Sequence, residues 1–185
     1  TGKLRRAARS ATLIAPSTSR DREGADPMPD SITSRGPLPN GRGSLLKTHT
    51  LDGEPGRAPL GPMRRYLYAV HPAVERADLM HLLADEHDAP LIHRKLGLLT
   101  RDSPTTSPWL TGFELLAQLP WRPKKVKQWL SQRDAGIVEI KTRGKAVDPD
   151  AVAKQLRGKG KTPYTVFVLR FDVRVVALVC RRVLA

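Results

Sequence analysis

One cysteine, Cys180, stands in the whole 185-residue chain, so no disulfide can form within it. It sits inside the apolar run "RVVALVC", which predicts a buried structural thiol and fits a reducing compartment. Aromatic residues make up only 5% of the sequence, so the core must be built mainly from aliphatic side chains. No apolar run approaches the ~18–20 residues needed to span a bilayer. The opening "TGKLRRAARSATLIAP" is basic and then briefly apolar, but "ATLIA" is shorter than a secretory hydrophobic region and the chain does not begin with Met. These absences point away from a disulfide-stapled secreted domain and from a helical membrane anchor. The expectation is a cytoplasmic protein with no membrane partner.

Catalytic groupings are equally scarce. No Ser keeps company with a His and a carboxylate in a recognisable arrangement, and Cys180 lies in a strand pattern rather than at a helix start. Glu139 is a lone carboxylate on a strand, expected to face solvent or to pair with a neighbouring Lys or Arg, and is no acid–base pair. His81 and Asp85 are one helical turn apart, but His87 falls six residues beyond His81 and off that face. Surface positions on an amphipathic helix explain the three better than a metal site. "NGRGS", residues 40–44, lacks both the Lys and the preceding strand of a phosphate loop. No catalytic residue and no metal ligand is therefore assigned.

What the chain has in excess is positive charge, and it is local. Lys and Arg number 32 against 18 Asp and Glu, a formal net charge of +14. Residues 1–60 carry 10 basic and 6 acidic residues, residues 61–119 carry 6 and 7, and residues 120–185 carry 16 and 5. The last third alone is +11, and it is also where the regular elements are read. A basic face on a folded unit points to a polyanion, nucleic acid before anionic membrane.

The organisation follows from periodicity. Residues 1–62 have turn-formers throughout and no sustained period of 2 or 3.6, and are read as a disordered or low-complexity segment. Residues 63–108 form a helical lead-in. Tyr66 to Tyr68 are extended, and Pro72 opens one helix with Val74, Ala77, Leu79, Leu82 and Leu83 inward. That helix ends near His87 to Ala89, and a strand follows at Leu98 to Thr100. From residue 109 to 185 the pattern is strand, helix, strand, helix, strand, strand. Phe113, Leu115, Ala117 and Leu119 alternate along the first strand. Val126, Trp129 and Leu130 line the first helix, with Gly136 at its C-terminal cap. Asp148 caps the second helix, with Pro149 at its first position and Gly158 at its close. The last two strands meet in a hairpin at Asp172 and Val173. The fold class expected is α+β: a small four-stranded mixed sheet with two helices on one face, β-α-β-α-β-β.

Residues 136–161, "GIVEIKTRGKAVDPDAVAKQLRGKGK", followed by an apolar strand, a turn and "RVVALVCRRV", resemble the THUMP-like C-terminal domain of class I S-adenosylmethionine-dependent methyltransferases. The carrying motifs are Val138-Glu139-Ile140-Lys141-Thr142-Arg143-Gly144 and Val147-Asp148-Pro149-Asp150, and the likeness extends over about residues 64–184. It implies a module that docks structured RNA, tRNA or rRNA, for RNA modification by a methyltransferase catalytic partner. S-adenosylmethionine would belong to the catalytic domain, because no strand followed by a Gly-rich turn stands in this chain to cradle it. Thr142 replaces a Lys of the pattern, which removes one positive contact.

On that reading the cations at the joints between elements are phosphate contacts. They are Lys124, Lys125 and Lys127 on the first helix; Lys141, Arg143 and Lys145 after the next strand; and Arg157, Lys159 and Lys161 after the second helix. Gly144, Gly158 and Gly160 would let backbone approach a ligand, or else simply turn the chain. Trp129 reads as core, whereas Trp109 and Trp121 are candidates to stack on unpaired bases. The competing readings are a protein-interaction module whose charge keeps it soluble, and a remnant of a methyltransferase with no independent activity.

Overall fold

The computed structural model describes residues 7–16, 46–143 and 146–183. Their order is β1 (Arg9–Pro16), β2 (Leu46–Gly53), β3 (Tyr66–Val70), α1 (Pro72–Arg76), α2 (Met80–Glu86), β4 (Leu98–Arg101), β5 (Leu110–Pro120), α3 (Pro123–Ser131), β6 (Ala135–Arg143), α4 (Pro149–Leu156), β7 (Thr162–Phe171) and β8 (Arg174–Arg182). The class is α+β, and the run from β5 to β8 has the expected order. Strands β5, β8, β7 and β6 lie side by side, with β6 and β7 parallel and the other pairs antiparallel. The sheet is wider than the four strands expected. β3 pairs with the free edge of β5, β4 pairs with β3, and the whole has six strands in the order β4-β3-β5-β8-β7-β6. The lead-in is thus hydrogen-bonded into the same sheet.

The apolar patterns explain the layers. Val126 and Leu130 of α3 and Val152 and Leu156 of α4 pack with Val138, Tyr164, Val166, Val168, Ala177 and Val179, so both helices cover one sheet face. On the opposite face Phe113, Phe167, Leu169, Leu178 and Cys180 pack with Leu67, Leu96 and Leu98. The Phe113 and Phe167 rings meet edge-on at 4.9 Å. A third cluster joins Tyr68, Val70 and Trp109 to Val74 of α1, Leu83 of α2 and Leu79 between them.

Two breaks in periodicity were not visible in the pattern. The alternation of β5 slips at a bulge between Leu115 and Ala117. Phe113 and Leu115 therefore face one core, while Leu116, Ala117 and Leu119 face the other. The single helix expected from Pro72 to the region of His87 is two helices. Asp78 takes the left-handed conformation at φ 56°, and the re-aimed chain buries both Leu79 and Leu83. The reading of residues 1–62 as irregular is likewise corrected at two segments. β1 and β2 form an antiparallel ribbon, Arg9 opposite Gly53 through Pro16 opposite Leu46. Among the described side chains of β1 Ala11 alone is buried, with Leu13 and Ala15 half-buried on the same face, and the apolar Ile14 on the exposed face blurs that alternation in the sequence. The ribbon is held by pairing, by Ala11, Leu13 and Leu51 packed on the core around Leu79 and Leu83, and by an exposed Arg9–Asp78 ion pair at 2.6 Å.

Asp148 caps α4 as expected, its Oδ1 accepting from the backbone N–H groups of Asp150 (3.0 Å) and Ala151 (3.3 Å). Gly158 closes α4 as expected, whereas the expectation for Gly136 changes. Gly136 is not a helix cap: it is the second residue of β6, and the α3 cap position is Gln132. Gly158 follows the α4 cap residue Arg157, and its N–H donates to Gly136 O at 2.9 Å. Gly160 N–H donates to Ala135 O at 3.0 Å. A Cβ on Gly158 would collide with the Ala135 carbonyl, and one on Gly160 with the Asp134 carbonyl. These two glycines admit the chain's own backbone, which forces the α4–β7 turn flat against the start of β6. Gly158→Ala should cost about 2 kcal/mol or more, as overpacking against fixed backbone does. Urea unfolding with an unchanged m-value would check it.

Candidate nucleic-acid interface

The nine cations singled out in the sequence do not form one patch. Lys145, with Gly144, lies outside the described residues. Lys124, Lys125, Lys127, Arg157, Lys159 and Lys161 are all exposed. The ammonium of Lys127 donates to Gln155 O at 2.8 Å, tying α3 to the last turn of α4. It thereby meets the carbonyl end of that helix, where a cation is favoured. The backbone N–H of Lys161 donates to Asp134 Oδ2 at 3.2 Å. Among the described residues none of these six side chains is ion-paired with an acid.

Lys124 and Lys125 occupy the first turn of α3, which contains no acidic residue and whose cap position, Arg122, makes no side-chain capping bond. The positive end of the helix dipole disfavours cations there by about 0.3–1 kcal/mol each. They hold those positions at some cost to the helix.

Lys141 and Arg143 are placed differently. They lie on the sheet face away from α3 and α4, and each has an acidic partner. Lys141 Nζ is 2.8 Å from Glu139 Oε1 and 5.9 Å from the centre of the Phe113 ring. Arg143 Nη2 is 3.3 Å from Glu75 Oε1 on α1. Both border a cleft of about 370 Å³ whose walls include His71, Trp109 and Phe167. At ~3.3 Å per residue, Lys141 stands about 17 Å along β6 from Gly136, where the α4–β7 turn is moored. The sequence motif around Lys141 and Arg143 thus belongs to a seam within the fold, and the exposed cations belong to the helices and the turn. Glu75, the acid that fixes Arg143, was not picked out in the sequence. It lies 68 residues from Arg143, and only the tertiary fold brings them together.

The ionisable groups report the same seam. Burial pushes the Glu75 carboxyl above its ordinary range, and Arg143 only partly offsets this. For Glu139 burial also acts upward, but hydrogen bonds from Lys141 and Thr165 and the charges of Lys141 and Arg182 outweigh it, so its pKa is lowered. Burial raises the Cys180 thiol to about 12, which keeps it protonated and inert at ordinary pH. Trp109 is 6% exposed, inside the α1–α2 cluster, with an edge on the cleft wall, and Trp121 is half-buried against the helical core. Trp129 carries the Arg133 guanidinium over its face at 3.9 Å. His81 and His87 point to different neighbours: His81 lies against Gly56, and His87 meets Thr105 Oγ1 at 3.3 Å.

A mixed sheet with β5-β8-β7-β6 order and two helices on one face defines a compact α+β unit. Residues 110–182, from β5 to β8, match the family model described as THUMP domain-like. Two Mycobacterium tuberculosis proteins, from strains CDC 1551 / Oshkosh and ATCC 25618 / H37Rv, are each 34% identical to this chain over 134 residues. Both are described as uncharacterized S-adenosylmethionine-dependent methyltransferases. The match covers 70% of this chain and 37% of each of theirs, so the chain spans little more than a third of these relatives. A crystal structure described as "putative methyltransferase from Porphyromonas gingivalis W83" shares the fold. Its TM-score is 0.54 at 18% identity, with 66% of this chain and 30% of that one covered.

The charge state of Glu75 gives a test with a definite sign. A carboxyl whose pKa is raised on folding is favoured protonated in the native state. Its contribution is therefore fully present below the unfolded value near 4.5 and is lost as pH rises through the folded value. Glu75→Gln, a neutral isostere, should match or exceed the parent chain in stability at neutral pH. The two unfolding curves should converge in acid. A Gln variant clearly weaker at neutral pH would mean that the Arg143 pair outweighs burial.

Proposed function

We propose that this chain is an RNA-docking accessory module for an S-adenosylmethionine-dependent methyltransferase, and that it contacts the phosphates of structured RNA, tRNA or rRNA, without itself doing chemistry. S-adenosylmethionine and the transfer step belong to a catalytic domain, and the setting is the cytoplasm. One observation carries the reading. Lys124, Lys125, Arg157, Lys159 and Lys161 are exposed, and none is neutralised by an acid among the described residues. Two of them sit where the helix dipole opposes them. Charge placed against local stability and left unpaired is suited to an external anion. The THUMP-like domain and the methyltransferase relatives support the same assignment. The described helices include none long and apolar enough to cross a membrane.

Phosphate contacts release counterions, so affinity falls with salt in proportion to their number, a slope of about −0.9 per phosphate neutralised on a duplex. Binding of the full chain to total tRNA across a salt series tests the reading. Replacing Lys124, Lys125, Lys159 and Lys161 together by Ala should flatten the log–log slope by roughly three to four. Lys141→Ala with Arg143→Ala should flatten it less, because both cations already have acidic partners. A chain that binds no tRNA even at low salt would refute the proposal. A second experiment separates function from stability. Lys124→Glu with Lys125→Glu should weaken tRNA binding while raising thermal stability, each by about 0.3–1 kcal/mol through the helix dipole.

A further inference from the structure

The sheet face opposite α3 and α4 is filled by Phe113, Phe167 and Leu169 only along part of its length. Toward the start of β7 the filling stops, and a groove of about 450 Å³ opens there, bordered by Ile137, Glu139, Thr162, Pro163, Tyr164, Thr165, Arg181 and Arg182. Ile137 is 67% exposed, one of four exposed large apolar side chains among the described residues. It sits beside a bulge where the pairing of β6 with β7 skips from Ala135 to Val138. Pro163 is exposed next to it. The floor is thus apolar and uncovered.

The rim is cationic. Arg181 and Arg182 are exposed, and neither forms an ion pair with an acid among the described residues. Lys159 and Lys161 precede Thr162 on the adjoining turn and are exposed as well. Between floor and rim stands one acceptor. Glu139 Oε2 takes a hydrogen bond from Thr165 Oγ1 at 3.2 Å, and Oε1 faces Lys141 Nζ at 2.8 Å. These two partners orient the carboxylate. An ionised carboxylate has about four lone-pair sites, so roughly two remain for an incoming donor.

We propose that this groove holds a single unpaired nucleobase bearing an exocyclic amine. The base lies on Ile137 and Pro163, its amine donates to Glu139, and its flanking phosphates meet Arg181 and Arg182. Charge complementarity selects the occupant: an apolar floor edged by exposed Arg181 and Arg182, with Lys159 and Lys161 on the adjoining turn and one carboxylate between them, suits a flat ring carried on a polyanion. The carboxylate then sorts among bases, because it accepts from the amine of cytosine and faces a carbonyl oxygen at the same place in uracil. The proposal rests on the RNA-docking reading and adds to it a site for one splayed-out base beside the phosphate contacts. That site is distinct from the Lys141–Arg143 cleft and uses none of the tryptophans.

The test uses the full chain with fluorescently labelled RNA hexamers, oligo(C) and oligo(U), which differ at the amine and carry equal phosphate charge. Oligo(C) should bind more tightly by at least about fivefold, the lower end for one base-edge contact. Glu139→Gln should erase most of that preference while retaining the salt slope on tRNA. Ile137→Ser, at an exposed position that leaves the core intact, should weaken both hexamers. Equal binding of the two hexamers by the parent chain, with salt-dependent tRNA binding retained, would overturn the groove and leave the docking reading standing. Absence of all RNA binding would overturn both. Sedimentation run in parallel covers the remaining occupant. A dimer that Ile137→Ser makes monomeric, with hexamer binding unchanged, would assign the groove to a second copy of the chain and overturn the proposal.

Discussion

Three backbone hydrogen bonds between the β6 start and the α4–β7 turn set the position of the turn that carries Arg157, Lys159 and Lys161. Gly158 N–H reaches Gly136 O, Gly160 N–H reaches Ala135 O, and Thr162 N–H reaches Asp134 O, at 2.9, 3.0 and 3.0 Å. They fix where α4 stops and where β7 begins alongside β6. A parallel pair of strands cannot be joined by a tight turn, so the chain must leave the sheet as a helix and return. The return point decides the register, and the register decides which face each residue meets. Only residues without a Cβ let the two backbones come this close. Arg157, Lys159 and Lys161 alternate with Gly158 and Gly160 through this seam, so the cations stand on a stiff support rather than on a slack loop.

Much of the module was legible beforehand, for reasons that differ by element. The α4 helix announces itself chemically, through Asp148 as an acceptor for orphan N–H groups and Pro149 where no donor is needed. Strands β6 to β8 announce themselves by runs of Val, Leu and Phe, most of them buried. What stayed hidden depends on partners far away in sequence. Nothing local to Tyr66–Val70 says that it will pair with Leu110–Glu114, and nothing local to Leu115 says that the strand will slip there. The ribbon of β1 and β2 buries one alanine of β1 completely and so leaves almost no apolar signature. Gly136 departs from its pattern for a related reason. A Gly after a helical pattern looks like a cap, as Gly158 is placed after α4, whereas the cause at Gly136 is a neighbouring backbone that no local window contains.

The candidate surface shows a similar split between charge and setting. Composition located the excess in the last third correctly, since composition is additive and needs no fold. It could not separate cations that are spent from cations that are free. Arg143 is held by Glu75, and Lys141 by Glu139, so the most recognisable motif in the sequence contributes to internal cohesion. The free charges lie on α3 and on the α4–β7 turn. Recognisable motifs mark what a fold needs in order to be itself, and binding surfaces are often built from the residues between them.

The union of β3 with β5 has a consequence for how such a module can be inherited. The segment matching the family model begins at residue 110, in the middle of a continuous hydrogen-bonded sheet. Severing the chain there would strip Tyr66–Val70 from Leu110–Glu114 and leave the edge of β5 bare, with Phe113 deprived of Leu67 beside it. A naked strand edge next to an exposed aromatic is a template for mispairing and aggregation. The unit that can be passed intact between proteins is therefore larger than the unit whose sequence is recognised, and it carries its two antiparallel lead-in strands with it.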